Sequence, residues 1–183
     1  MVKTYKAHLY IASANLIFGI NYAVSKAVVP HWVSPLSLTF IRIVGASLLF
    51  WLFSRGVKKI VIERKDQIRL ALCGLLGIAL NQALFLKGIS LTSPIDASII
   101  NISIPILVMV IAALFIGEKI SMMKLVGIAL GATGAMVIIV NSGKIQVDAG
   151  HFKGNLFIFC NALAYAIYLV LAKPLMKKYD PVT

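Results

Sequence analysis

Arg42 sits about ten residues from either end of the apolar run Val33–Phe53, so a helix would place it roughly 15 Å deep. A guanidinium at that depth costs about 2.5–3.5 kcal/mol on insertion scales, and such a charge must face a cavity or a partner. Two chemistries fit. Arg42 can hold an anionic substrate group such as a carboxylate, or it can clamp backbone carbonyls and Asn side chains of neighbouring helices. A set of amides shares its apolar surroundings: Asn15 and Asn21 in the first run, Asn81 and Gln82 in the third, Asn101 in the fourth and Asn161 in the sixth. They can line a polar substrate path or simply join helices. Tyr22 and Tyr168 can stack on a ligand or pack at the interface.

The remaining candidates lie nearer the ends of the runs. Pro105 splits the fourth run and frees a backbone carbonyl, which suits either a kink beside a pathway or a static packing bend. Glu118 precedes Lys119 and stands near Lys124, giving either a gate or an ordinary helix-end ion pair, Glu118 with Lys119. Lys26 and Lys173 are placed to snorkel to the interface. Gly127, Gly131 and Ala135 recur at four-residue intervals, a small-residue face for helix packing within the chain or between two copies in a homodimer.

The elements that carry these residues are membrane helices. Of 183 residues 60% are hydrophobic and 13% charged, with a mean hydropathy of +0.94. Apolar runs of 18 or more residues recur, each long enough to cross a hydrocarbon core of roughly 30 Å. Six spans are expected: His8–Val29, Val33–Phe53, Ile68–Leu86, Pro94–Ile116, Met122–Val140 and Gly154–Ala172. The fold class is therefore an all-α polytopic membrane protein with short links and antiparallel neighbours. Ser93-Pro94-Ile95-Asp96 reads as a capped helix start with an acid in its first turn. Asn141-Ser142-Gly143 reads as a stop. Trp32 and Trp51 fall near opposite ends of the second span, where headgroups suit them. The first run exceeds a signal-peptide core of about 7–15 residues and is read as a retained helix. Cys73 and Cys160 read as small apolar residues.

Charge sets the orientation. Thirteen of the 18 Lys and Arg residues fall on the N-terminal side of the expected spans and four on the other, Arg42 being the one inside. That excess places the N-terminus in the cytoplasm of a cell (inner) membrane protein. The net charge of +12 thus reads as an orientation signal and a contact with lipid headgroups, with no role for nucleic acid.

An internal repeat bears on function. At a shift of 147 residues Leu9-Tyr10-Ile11 meets Leu156-Phe157-Ile158, Phe18 meets Tyr165 and Lys26 meets Lys173; one gap later Pro35 meets Pro181. A unit of five helices repeated once enters the membrane from the opposite side, and inverted repeats build transporters with a site near the midplane. The expected layout is a first unit over 8–140, a loop over 141–153 and the start of a second unit over 154–183. A complete pair needs about four more helices, so the chain is expected to be a fragment or a truncated product.

These residues resemble the EamA-like family of the drug/metabolite transporter superfamily. The resemblance lies in Phe18-Gly19-Ile20-Asn21 followed by Lys26, Pro35 and Arg42, in Leu91-Thr92-Ser93 and Pro105, and in Gly117-Glu118 followed by Gly127, Gly131 and Gly134. Phe18 stands where the family usually has Trp. The resemblance implies a ten-helix inverted-repeat fold, of which this chain holds the first five helices and the sixth. It also implies a secondary carrier of amino acids, other metabolites or drugs, working by alternating access on a small-molecule substrate. An alternative of the same size is a six-helix substrate-capture subunit of a multi-component uptake system. An enzyme is not expected. His8, His31 and His151 are scattered, the six acids never pair at metal spacing within a span, and no phosphate-binding Gly-rich Lys motif occurs, so neither cofactor nor metal is expected.

Overall fold

The computed structural model describes the backbone of residues 2–29, 31–54, 61–141 and 149–179, and the side chains of 8–29, 31–54, 61–134, 137 and 152–179. Ala135, Pro181 and most of the expected loop over 141–153, with its stop signal Ser142-Gly143, lie outside the described side chains. The elements are α1 (Val2–Val28), α2 (Pro35–Phe53), α3 (Arg64–Gly74), a π-helical segment (Leu75–Leu80), α4 (Asn81–Leu91), α5 (Pro94–Asn101), α6 (Ile104–Ile116), α7 (Met122–Asn141) and α8 (Ala149–Lys178).

They make six helical runs, because the π-helical segment joins α3 to α4 and only a short turn parts α5 from α6. Among the described residues four runs are long and apolar enough to cross a membrane: Pro35–Phe53, Arg64–Leu91, Pro94–Ile116 and Phe152–Lys178. The protein is an all-α, multi-pass membrane protein, as expected. α1 is long enough at 27 residues but carries Asn15 and Asn21, and α7 adds a shorter apolar stretch, Met122–Gly134.

Helix ends follow local chemistry. The Ser93 hydroxyl accepts from the Asp96 N–H at 3.0 Å with Pro94 in the first turn, so the expected cap is present. Ser34 does the same for α2, accepting from the Ser37 N–H at 3.1 Å ahead of Pro35. The third run extends beyond the expected Ile68–Leu86 at both ends, and α8 beyond the expected Gly154–Ala172. Polar residues hid these turns: Arg64, Lys65 and Asp66 open α3, while Lys177 and Lys178 close α8. Pro174 lies inside α8 without ending it.

α8 is the spine. Its Ile158 joins a buried cluster with Val29, Phe85, Leu86, Ile89 and Ala97. Its Ala166 and Val170 pack with Ile111 and Ala112, and its Ala172 and Leu175 with Cys73. The approach is close enough to require glycine. A Cβ at Gly154 would come within 2.8 Å of the Leu91 carbonyl carbon and the Thr92 nitrogen. One at Gly88 would meet the Ile158 side chain at 2.6 Å, and one at Gly77 the Tyr168 ring at 2.6 Å.

Polar ties fix both ends of the bundle. At the far end the Lys26 ammonium donates to the carbonyls of Ile89 (3.0 Å), Ser90 (3.4 Å) and Thr92 (2.8 Å). It thus caps the C-terminus of α4, where unpaired carbonyls and the helix dipole attract a cation. Snorkelling is therefore not its role. The Thr92 hydroxyl reaches Asn155 at 2.5 Å and Asp96 at 3.3 Å. At the N-terminal face Lys178 bridges Asp66 (2.7 Å) and Glu63 (2.6 Å), and the Tyr179 hydroxyl donates to Asp66 at 2.9 Å.

The glycine contacts give a test. Gly154→Ala sets a methyl group against backbone that cannot yield, and should lower stability by about 1–3 kcal/mol. Gly134→Ala, where a Cβ meets nothing within 4 Å, should leave it unchanged or slightly raised. Thermal unfolding in detergent compares them, and equal losses in both variants would refute the close approach of α8.

Candidate functional site

Four runs bring polar side chains to one place. α1 offers Asn15, Phe18, Asn21 and Tyr22, at the three- and four-residue spacing that aligns side chains on one helix face. The start of α4 offers Asn81, Gln82 and Phe85, the end of α5 offers Asn101 and the start of α6 Ile104, and α8 offers Asn161 and Tyr165. Together they line a cavity of about 320 Å³. The expected amides thus converge. Phe18 and Tyr165, matched at the repeat shift, both belong to its wall. Tyr168 does not; its ring lies against Gly77.

Backbone irregularities flank this cavity. The π-helical segment Leu75–Leu80 ends directly before Asn81 and Gln82. Such segments are uncommon and recur at functional sites. The fourth run breaks at Ile102–Ser103, and Pro105 falls in the first turn of α6. Irregular backbone at membrane depth is tolerated where it is buried in protein or lines a cavity. The expected split at Pro105 is present; the π-helical segment had no signal in the sequence.

Arg42 stands behind the cavity wall. Its Nη2 donates to the Asn21 Oδ1 and the Ser25 hydroxyl, each at 2.9 Å, and its Nη1 to the Gln82 Oε1 at 3.3 Å. Three charge-assisted bonds at roughly 1.5–3 kcal/mol each are enough to offset the insertion cost of about 2.5–3.5 kcal/mol. Its partners are neutral, so the positive charge survives. The geometry is that of a clamp tying α2 to α1 and α4 while aiming Asn21 and Gln82 at the cavity. Ser25 escaped the sequence reading, although it lies one helical turn after Asn21 on the same face.

The other amides divide by partner. Asn81 and Asn161 reach across to each other's backbone, the Asn161 Nδ2 donating to the Asn81 carbonyl at 2.9 Å and the Asn81 Nδ2 to the Asn161 carbonyl at 3.5 Å. This pair joins α4 to α8. Asn15 bonds within its own helix, to the Ile11 carbonyl at 2.9 Å. Tyr22 packs edge-on against Phe85 at 5.0 Å, and its hydroxyl accepts from the Asn101 Nδ2. The Asn101 Oδ1 is buried with no hydrogen-bond partner. A buried acceptor left unpaired costs about 1–3 kcal/mol.

Pro105, Glu118, Lys119, Gly127 and Gly131 lie around a second cavity of about 680 Å³ between α6, α7 and α8, and Asn101 belongs to the walls of both. Gly117 takes a φ of 66°, the left-handed region that favours glycine, and turns the chain so that the Glu118 N–H donates to the Ala112 carbonyl at 3.2 Å. The Glu118 carboxylate pairs with Lys124 and with Lys173. The expected pair with Lys119 is replaced, because the turn aims Glu118 at α7 and α8. Among the described residues Gly127 and Gly131 have open space beside them, so this small-residue face opens onto the cavity.

Residues 5–140 match the EamA-like transporter family. An uncharacterized transporter of Archaeoglobus fulgidus is 26% identical over 97% of this chain and 61% of its own. An uncharacterized transporter of Bacillus subtilis, YyaM, is 24% identical over 100% of the chain and 60% of its own. A probable terminal-alkyne amino-acid exporter of Streptantibioticus cattleyicolor is 26% identical over 81% of the chain and 48% of its own. The chain spans about 60% of the length of the first two relatives. It matches no solved structure.

Lys124 and Lys173 hold the Glu118 carboxyl down at about 2 from its usual 4.5. A depressed carboxyl stabilises the fold fully above its unfolded value and loses that contribution as pH falls towards its folded value. The unfolding temperature of Glu118→Gln should therefore lie below that of the parent at pH 7, with the gap shrinking from about pH 4.5 towards pH 2. A gap of constant size across that range would contradict the pairing.

Proposed function

Because the chain belongs to the EamA-like transporter family, we propose that its amide-lined cavity is part of the path of a small polar metabolite across the membrane. One observation carries this reading: four helical runs turn six amides and four aromatic rings onto one cavity of about 320 Å³. The amides offer donors and acceptors without net charge, while Phe18, Tyr22, Phe85 and Tyr165 offer apolar faces. Arg42, directly behind Asn21 and Gln82, biases the cavity towards a carboxylate.

That combination suits amino acids and related metabolites, and the relative from Streptantibioticus cattleyicolor is named a probable terminal-alkyne amino-acid exporter. The movement is alternating access between opposed five-helix units of a secondary carrier, with the helix break at Ile102–Ser103 as a point of flexure. Arg42 acts as a positioning residue. The N-terminus lies on the cytoplasmic side of the cell membrane by the excess of basic residues on that face.

Vesicles reconstituted with the chain and loaded with unlabelled amino acids should exchange at least one labelled amino acid, with and without a pH gradient as a test of ion coupling. Gln82→Leu should cut exchange by tenfold or more. Arg42→Lys, which keeps the charge but loses the fork, should cut it while leaving insertion intact. Absence of exchange for every amino acid tried, or full exchange by Gln82→Leu, rejects the reading. Orientation has its own test: Thr4→Cys should react with an impermeant thiol reagent from the cytoplasmic side and Gln146→Cys from the opposite side. Labelling of both from one side would rule out the opposed units.

A further inference from the structure

The cavity between α6, α7 and α8 has two chemically different ends. Its walls are apolar along most of their length, with Pro105, Val108 and Met109 contributed by α6 and Gly127, Ile128 and Gly131 by α7. A Cβ added at either glycine meets nothing within 4 Å, so the space continues up to the α7 backbone. At the N-terminal face the mouth carries Lys119, Lys124 and Lys173 around a single acid, Glu118. Glu118 accepts from both Lys124 and Lys173. Three ammoniums against one carboxylate leave an excess of two positive charges at the mouth. The volume of about 680 Å³ falls within the range of ligand pockets, about 300–1,000 Å³.

An apolar space of this size, open at the membrane's basic face, suits a molecule with an anionic head and a hydrocarbon body. We propose that it binds one anionic phospholipid of the leaflet on the N-terminal side, with the phosphate at Lys119 and Lys124 and an acyl chain along the Gly127–Gly131 face. Charge complementarity selects this occupant. Basic pockets between membrane helices on the cytoplasmic side take anionic headgroups, each Lys adding about a kcal/mol of attraction, and an acyl chain restores the dispersion contacts that an empty wall forfeits. A second copy docked side by side through the same face would instead bring two sets of three ammoniums together. The site is separate from the amide cavity, meeting it only at Asn101, and does not depend on what that cavity carries.

Native mass spectrometry of the delipidated chain in detergent tests this, with phosphatidylglycerol and phosphatidylcholine of identical acyl chains as probes. The parent chain should retain one phosphatidylglycerol about tenfold more tightly than phosphatidylcholine. Lys119→Gln with Lys124→Gln should abolish that preference and leave phosphatidylcholine retention unmoved, and Arg at both positions should restore it. Lys119→Gln alone leaves the Glu118–Lys124–Lys173 cluster intact and covers the case in which the double variant does not fold; it should cost about fivefold. Gly131→Leu, whose side chain enters the cavity, should lower retention of both lipids. Equal retention of the two lipids by the parent, or a preference unchanged by loss of the lysines, overturns the proposal. So does a Gly131→Leu variant that shifts the chain from dimer to monomer with lipid retention unaltered, since the face would then belong to a second copy.

Discussion

A polar group inside hydrocarbon has no water to turn to, and most of this structure follows from where such groups find partners. Arg42 is the costliest of them. Its guanidinium gathers Asn21, Ser25 and Gln82 from two other helices, which fixes the rotation of α1 and α4 about their own axes. Once those rotations are set, Asn81 faces α8 and exchanges bonds with Asn161. Phe85 and Tyr22 meet at the same level. The amide cavity is what remains among helices whose polar faces are turned towards one another.

The same rule operates at the helix ends with different currency. Lys26 satisfies three carbonyls at the close of α4, and Lys178 and Lys173 tie α8 to the acids that open α3 and follow α6. Full charges are spent at the ends, where headgroups and water screen them, and neutral amides are kept for the interior. α8 spans both zones. Gly154 lets it lie against the close of α4 without a Cβ between backbones, while Gly77 and Gly88 make room for its Tyr168 and Ile158 side chains, a close-packing device common where no hydrophobic force draws helices together.

Much of this was legible in the residues. The apolar runs, the Ser93-Pro94 start, the break just before Pro105 and the inward amides each rest on a local rule of length, capping or polarity, and local rules survive folding. What escaped was contact between distant residues or with the backbone. Lys26 read as a snorkelling residue because the carbonyls it caps carry no signature in a sequence. Glu118 read as the partner of its neighbour Lys119, whereas the left-handed Gly117 turns it towards Lys173, 55 residues on. The π-helical segment before Asn81 escaped for a similar reason: Gly74 and Gly77 permit it, but no residue demands it.

The two cavities differ in polarity. A solute entering the amide cavity must shed its hydration shell, and the site can replace that shell only with groups already in place. Neutral amides supply both donors and acceptors at no net charge, so they suit molecules whose own charges cancel. Three of the five guanidinium N–H groups of Arg42 are committed to Asn21, Ser25 and Gln82, which leaves its field, more than its hydrogen bonds, to act on a carboxylate. A monoanion would therefore gain from Arg42 and a monocation would lose. For a zwitterion the side-chain amides of the cavity wall supply acceptors for the ammonium, which balances the guanidinium's field. The larger cavity lacks this balance: its charge lies at one end and its walls are hydrocarbon, which favours an amphiphile lying still over a polar solute passing through.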